Sequence, residues 1–290
     1  MTAEDAGPIA VAAPAKVNLY LHVTGRKADG YHLLDTLMVF TELGDRIVVR
    51  PGDGLSLTAD GPFADSLPED PGENLVMRAA KALAEAAGVD KGAHIALTKN
   101  LPVAAGLGSG SSDAAATLRA LARLWAIPAG AVDLAALGLA LGSDIPACLH
   151  GKPAFIGGTG DQIADAPPLP ACDILLVNPG VQLATLSVFG ARKGGFSPED
   201  RFDESPADVR ALAALVEARG NDLTEPATRL LPVVGQVLSA IEAAPGCRVA
   251  RMSGSGATCF GLFDDAETAG RAMENLRRDD WWCAVTRFGG

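Results

Sequence analysis

Apolar and polar positions change period several times along this 290-residue chain, and each change marks a predicted element. Residues 9–13 form a short apolar run that predicts a buried strand broken by Pro14, and Val17, Leu19, Leu21 and Val23 recur at every second position, the period of another strand. Residues 33–40 have strand character, and residues 46–50 and 55–58 predict paired strands joined by the turn Pro51-Gly52-Asp53-Gly54. The period then lengthens. Leu75, Val76, Ala79, Ala80 and Leu83 predict a helix capped by Asn74 and stopped at Gly88. After a strand over residues 93–98, Leu118, Leu121, Ala122 and Trp125 recur at i, i+3, i+4 and i+7, a second helix. A third runs from its cap Asp133 through Leu141. Residues 154–160 predict a further strand with flexible glycines, and residues 173–178 another, with residues 193–204 a polar surface loop. A helix starting at Ser205-Pro206 carries Val209, Leu212, Ala213 and Val216 inward, and a helical stretch bent near Pro232 and Gly235 reaches Ala243. Strand, glycine loop, strand, helix and strand close the chain, predicting an α+β architecture with antiparallel sheet.

Between the strand at 93–98 and the helix lies Pro102-Val103-Ala104-Ala105-Gly106-Leu107-Gly108-Ser109-Gly110-Ser111-Ser112-Asp113. Glycines alternate with small residues, so the backbone can adopt positive φ and admit another molecule close to its N–H groups. Ser111, Ser112 and Asp113 are candidate caps for the helix that follows. A helix start of this kind presents unpaired N–H donors and the positive end of the peptide dipoles, which is a phosphate site. The known phosphate-loop patterns narrow its type. The Walker loop needs Gly-Lys followed by Ser or Thr, which Gly151-Lys152 lacks; the dinucleotide fingerprint fails because its third glycine is Ser111; Gly-x-Ser-x-Gly is absent.

Composition narrows the class further. Hydrophobic residues make up 48% and charged residues 20%, an ordinary globular balance with length for about two domains. A net charge of −11 argues against nucleic acid or an anionic membrane as partner, so phosphate binding is local. Five cysteines, Cys148, Cys172, Cys247, Cys259 and Cys283, form no C-x-x-C pair and predict free thiols in a reducing compartment. Glu4 and Asp5 stand where a signal peptide would be basic, and no apolar run approaches a membrane span, so the expectation is a soluble, cytoplasmic protein.

Four other stretches carry chemistry. Pro14-Ala15-Lys16-Val17-Asn18 sets a lysine and an asparagine at a strand entry. Arg26-Lys27-Ala28-Asp29-Gly30-Tyr31-His32 is a polar loop whose tyrosine face can stack on a base while the histidine edge hydrogen-bonds its rim. Gly142-Ser143-Asp144-Ile145-Pro146 places an acid after a helix-ending glycine. Ser253-Gly254-Ser255-Gly256-Ala257 is a second glycine loop, able to offer amides to a phosphate. Together with Pro102 to Ser112, these stretches resemble the signatures of the GHMP kinases, the galactose, homoserine, mevalonate and phosphomevalonate kinases, and the Lys16 and Tyr31-His32 segments are similar to a branch acting on a cytidylyl substrate.

The resemblance implies a two-domain α+β GHMP kinase-like fold, with residues 1–160 an ATP-binding domain, residues 161–290 a carboxy-terminal domain and the active site in the cleft between them. It implies phosphorylation, with ATP and Mg2+, of the C2 hydroxyl of a cytidine diphosphate-linked methylerythritol in the non-mevalonate isoprenoid route. Asp144 would take the hydroxyl proton, and Lys16 would keep Asp144 ionised and stabilise the γ-phosphate. Pro102, Val103, Ala104, Ala105, Gly106, Leu107, Gly108, Ser109, Gly110, Ser111 and Ser112 would cradle ATP. Asn18, Tyr31, His32, Thr185 and Phe189 would hold the substrate, with Tyr31 and Phe189 sandwiching the base. The magnesium ligand is not singled out; Asp113, where relatives often carry asparagine, is either a cap or a magnesium ligand. Another GHMP kinase, for homoserine or mevalonate, would share both glycine loops without needing Tyr31-His32, and a non-catalytic nucleotide-binding protein would tolerate loss of Lys16 and Asp144. A monomer or homodimer is expected.

Overall fold

A computed structural model of the chain describes residues 7–290, so Glu4 and Asp5 lie outside it. Contacts divide it into two compact units, neither continuous in sequence. One comprises Gly44–Val103 and Gly108–Gly151 with the amino-terminal segment through Ala15; the other comprises Lys16–Leu43, Ala104–Leu107 and Lys152–Gly290.

Strands β1 (Ile9–Arg26) and β2 (His32–Gly52) each run from one unit into the other. Both are longer than the sequence suggests. β1 passes straight through Pro14, because a proline removes one ladder donor without disturbing extended backbone. β2 absorbs both residues 33–40 and 46–50. In the first unit, the hairpin expected between residues 46–50 and 55–58 is absent: β4 (Gly92–Thr98) lies between β2 and β3 (Leu55–Asp60), antiparallel to β2 and parallel to β3. Gly92 permits this insertion, since a Cβ there would stand 2.3 Å from Gly52 O. The parallel β3–β4 pair needs a crossover, and α1 (Leu75–Ala87) lies within it. Asn74 caps α1, its Oδ1 accepting from Val76 N at 2.9 Å, worth ~1 kcal/mol, and Gly88 ends it. α1 buries Val76, Met77, Ala79, Ala80 and Leu83, and packs on α2 (Ser109–Leu124). α3 (Leu134–Leu141), capped by Asp133 as expected, lies so close to α4 (Ile145–His150) that a Cβ on Gly138 would meet Ile145 Cγ2 at 2.7 Å.

In the second unit, residues 34–38 of β2 pair with β5 (Ala154–Gly158), and β5 with β6 (Gln162–Asp165). A separate antiparallel sheet has the order β10-β7-β9-β8, with β7 (Cys172–Asn178) and β9 (Cys259–Phe263) buried at its centre, and β8 (Val249–Met252) and β10 (Trp282–Phe288) at its edges. α6 (Val209–Glu217) starts later than expected, because Asp208 rather than Ser205 caps it. The stretch to Ala243 is two helices, α7 (Thr224–Leu230) and α8 (Val233–Glu242), separated at Leu231-Pro232. α8 and α9 (Ala266–Leu276) pack on this sheet. The core joins Leu21 and Val23 of β1 to Leu175, Val177, Val237, Ile241 and Phe263. The polar 193–204 loop is pinned rather than loose: Phe202 is buried edge-on to Phe155, and Asp35 accepts from Tyr20 Oη, Asp200 N and Arg201 Nε. Burial, and then Asp35, drive the Tyr20 phenol well above its usual range.

All five cysteines are free thiols. Burial pushes Cys172 up to about 12 and Cys247 to about 11, leaving both unreactive as thiolates. Among the described residues no helix is long and apolar enough to cross a membrane.

Candidate active site

The backbone leaving β4 enters the glycine loop at Pro102 and becomes helical at Ser109, not after Asp113. Gly108, with φ 58°, is the turn into α2, so Ser109, Gly110, Ser111 and Ser112 occupy its first turn and Ser112 N closes the first bond, to Gly108 O at 2.9 Å. The N–H groups of Ser109, Gly110 and Ser111 have no acceptor within the helix and point along its axis, the geometry of an anion site. Ser109 Oγ reaches back to Pro102 O at 3.5 Å.

In the second unit, Ala104, Ala105, Gly106 and Leu107 meet two of the other signature stretches, those of Lys16 and Ser253. Lys16 N donates to Leu107 O at 2.9 Å, and Thr258 N to Ala105 O at 3.1 Å. Ser253 Oγ donates to Gly106 O at 3.0 Å and accepts from Asn18 N at 3.2 Å. A Cβ on Gly106 would lie 2.6 Å from Gly256 O and 2.7 Å from Ser253 O, so only glycine allows the two loops this approach. Lys16 Nζ donates to Asn18 Oδ1 at 2.9 Å, both residues buried. Asn221 Nδ2 donates to the carbonyls of Met252 and Gly254, fixing the second loop from below.

In the first unit, Lys99 is buried (1% exposed) between two carboxylates, Asp45 Oδ2 at 2.5 Å and Asp113 Oδ2 at 2.7 Å. Asp45 Oδ1 also accepts from Asn100 N at 2.6 Å and Leu101 N at 2.9 Å, so the cluster ties the end of β4 and the entry to the loop to the helix that follows. Asp113 therefore caps nothing; its carboxyl faces Lys99, and its Oδ1 finds no hydrogen-bond partner. Burial, against the pull of Lys99, pushes this carboxyl up to about 7, because one ammonium cannot neutralise two carboxylates. A folded value above the ordinary 3.8 means that the folded chain holds the proton more tightly. The stability this contributes is full below about pH 4 and is lost as pH rises towards 7. Asp113→Asn, which cannot ionise, is therefore expected to gain melting temperature relative to the parent between pH 4 and 7 and to level off above; a difference independent of pH would contradict the assignment.

Asp144 occupies the N-cap position of α4, but its side chain makes no capping bond to that helix. The opposite end of α4 is held by Arg119 of α2, whose Nη2 donates to Cys148 O at 2.7 Å and to Leu149 O. In the substrate stretch, the ring lying on Phe189 is His32, with centroids 4.8 Å apart and planes 26° from parallel, whereas Tyr31 is 68% exposed. Phe189 and Thr185 belong to α5 (Thr185–Ala191), and Thr185 Oγ1 lies 2.9 Å from Ser255 Oγ. Burial, then Arg26 and Arg192, lower the His32 pKa, so its ring is neutral at pH 7. Asp45, Arg119, Asn221 and Ser253 carry these arrangements without having been singled out individually; only Ser253, inside a glycine loop, had a sequence signal.

Family models described as GHMP kinases N terminal domain and GHMP kinases C terminal match residues 74–152 and 205–280. The 4-diphosphocytidyl-2-C-methyl-D-erythritol kinase of Rhodospirillum rubrum is 50% identical over 281 residues, 96% of this chain and 92% of that protein. The chain belongs to the 4-diphosphocytidyl-2-C-methyl-D-erythritol kinase family of GHMP kinases. The family's member from Paramagnetospirillum magneticum is 50% identical over 280 residues, 96% of this chain and 98% of that one. A crystal structure of 4-(cytidine 5'-diphospho)-2C-methyl-D-erythritol kinase superposes with a TM-score of 0.80 at 38% identity, covering 97% of this chain and 100% of that one. Homoserine kinase from Cytophaga hutchinsonii, at 19% identity and a TM-score of 0.71 over 98% of this chain and 96% of its own, shares the fold. Membership in this kinase family makes ATP the phosphate donor and a small molecule the acceptor.

Proposed function

We propose that this protein transfers the γ-phosphate of ATP to the C2 hydroxyl of 4-diphosphocytidyl-2-C-methyl-D-erythritol, giving the 2-phosphate and ADP in the non-mevalonate route to isoprenoids. The observation that carries the reading is the meeting of three signature stretches at Asn18: Lys16 N on Leu107 O, Ser253 Oγ on Gly106 O, and Asn18 N on Ser253 Oγ. Two glycine loops and a lysine drawn together by hydrogen bonds suit a phosphoryl group in transfer, for which positioning and charge do nearly all the work.

Asp144 takes the proton of the C2 hydroxyl as its oxygen bonds to the γ-phosphorus and the bond to the β-phosphate oxygen breaks, releasing ADP. Lys16 lends positive charge to the transferring phosphoryl group, and residues 102–112 hold the ATP phosphates on backbone amides. Asn18 holds the lysine. Magnesium would enter with ATP and supply positive charge that offsets the phosphates; among the described residues no group of three or more His, Cys, Asp or Glu side chains is placed to hold it by protein ligands alone. Neutral His32 offers one donor and one acceptor, matching the edge of cytosine, with Phe189 behind it, Tyr31 free to lie on the base and Thr185 nearby. Along the sequence, residues 1–160 are read as an ATP-binding half and residues 161–290 as a carboxy-terminal half, a reading supported by the separate matches at 74–152 and 205–280, although the compact units interleave. The protein acts in the cytoplasm as a monomer or homodimer.

The test is ADP release with ATP and magnesium, offering the cytidylyl substrate, homoserine, mevalonate and galactose in parallel. Release with the first alone is expected. Phe189→Ala is expected to raise the Michaelis constant for the cytidylyl substrate by about 3–10-fold, from lost support of the His32 ring worth roughly 0.5–1.5 kcal/mol, while that for ATP changes by less than about 2-fold. Equal rises in both would make the ring a packing residue.

A further inference from the structure

Asn18 is gripped at both ends by hydroxyl groups. Its backbone N–H donates to Ser253 Oγ at 3.2 Å and its side-chain Nδ2 to Thr36 Oγ1 at 2.9 Å. The oxygen and nitrogen of an asparagine amide are nearly equal in size, so packing alone does not choose between the two orientations; hydrogen-bond polarity does. Thr36 supplies that polarity. Its hydroxyl carries one hydrogen, given to the backbone carbonyl of Tyr20, which has none to return. Only lone pairs remain on Oγ1, so it meets Asn18 as an acceptor. The amide must then turn its NH2 towards Thr36 and its Oδ1 towards Lys16 Nζ, 2.9 Å away. Lys16, Asn18 and Thr36 are all buried, and a Cβ on Gly254 would already stand 3.3 Å from Asn18 Oδ1 and 3.6 Å from Lys16 Nζ, so the arrangement has little room to shift.

We infer that Thr36 is a positioning residue for phosphoryl transfer: its hydroxyl fixes the orientation of the Asn18 amide, and through it the place of the Lys16 ammonium. With the amide reversed, NH2 would confront NH3+ and Lys16 would lose its acceptor there. The inference rests on the reading of Lys16 as a group acting on the transferred phosphate.

Thr36→Val keeps the shape and removes the hydroxyl; Thr36→Ser keeps the hydroxyl. The first is expected to lower kcat by about 10–100-fold, the usual consequence of a displaced catalytic group, with both Michaelis constants within about 3-fold, and the second to restore kcat to within about 3-fold of the parent. Full turnover in Thr36→Val, or an equal loss in both variants, overturns the inference. The Asn18 side-chain NH2 resonances provide a readout independent of activity. Slow exchange with solvent is expected in the parent and in Thr36→Ser and fast exchange in Thr36→Val; should Thr36→Val not fold, fast exchange in the parent itself overturns the inference. Undiminished turnover in Lys16→Ala would bring down the reading of Lys16, whereas protection of the Asn18 amide that disappears in Thr36→Val upholds the orienting role of Thr36 by itself.

Discussion

Asp144→Asn is expected to lower turnover by ~10²–10⁴-fold, the usual loss on removing a general base, while the protein stays folded. An amide matches the carboxylate in shape but cannot take the hydroxyl proton. The substitution removes no capping bond from α4, and Arg119 still holds the other end of that helix. Steady-state ADP release beside a thermal melt separates the two effects. Turnover near that of the parent would remove Asp144 from the chemistry; a collapsed melt would make it a structural acid.

Asp45→Ala is the change expected to cost most in stability, about 3–5 kcal/mol of unfolding free energy measured by urea titration. It leaves Lys99 with a single carboxylate and strips the acceptor from two loop-entry amides, those of Asn100 and Leu101. Its sign is opposite to that expected above pH 7 for Asp113→Asn, because Asp113 is the carboxylate in excess. A loss below about 1 kcal/mol would show that the cluster is not what secures the loop entry.

The same cluster explains what the sequence could and could not convey. The glycine loop at 102–112, its helix and the cap at Asn74 are legible because their causes are local: glycine, small residues and a capping side chain within a few positions. β2 is not, because Glu42 to Asp45 looks like an interruption between apolar runs. Asp45 can stay in a buried strand only because Lys99, Asn100 and Leu101, more than 50 residues later, satisfy it. The hairpin expected at Pro51–Gly54 fails for a related reason: turn residues propose a local pairing, and β4 wins the edge of β2 through contacts that no local pattern carries. In the candidate site, Lys16, Asp144 and the loop stood out by motif. Thr36 did not, since its role lies in which way one hydrogen points.

The interleaving of the two units also bears on how the protein is made. Leu21 and Val23 leave the ribosome early, yet Leu175 and Val177, in the core they share, follow about 150 residues later, and Phe263 later still. At synthesis rates of roughly 5–20 residues per second, the apolar face of β1 waits on the order of ten seconds for the sheet it will pack with. The second unit cannot be completed until its last strands have been translated, so a nascent chain cut short anywhere in the carboxy-terminal third leaves a finished amino-terminal strand with an unfinished core.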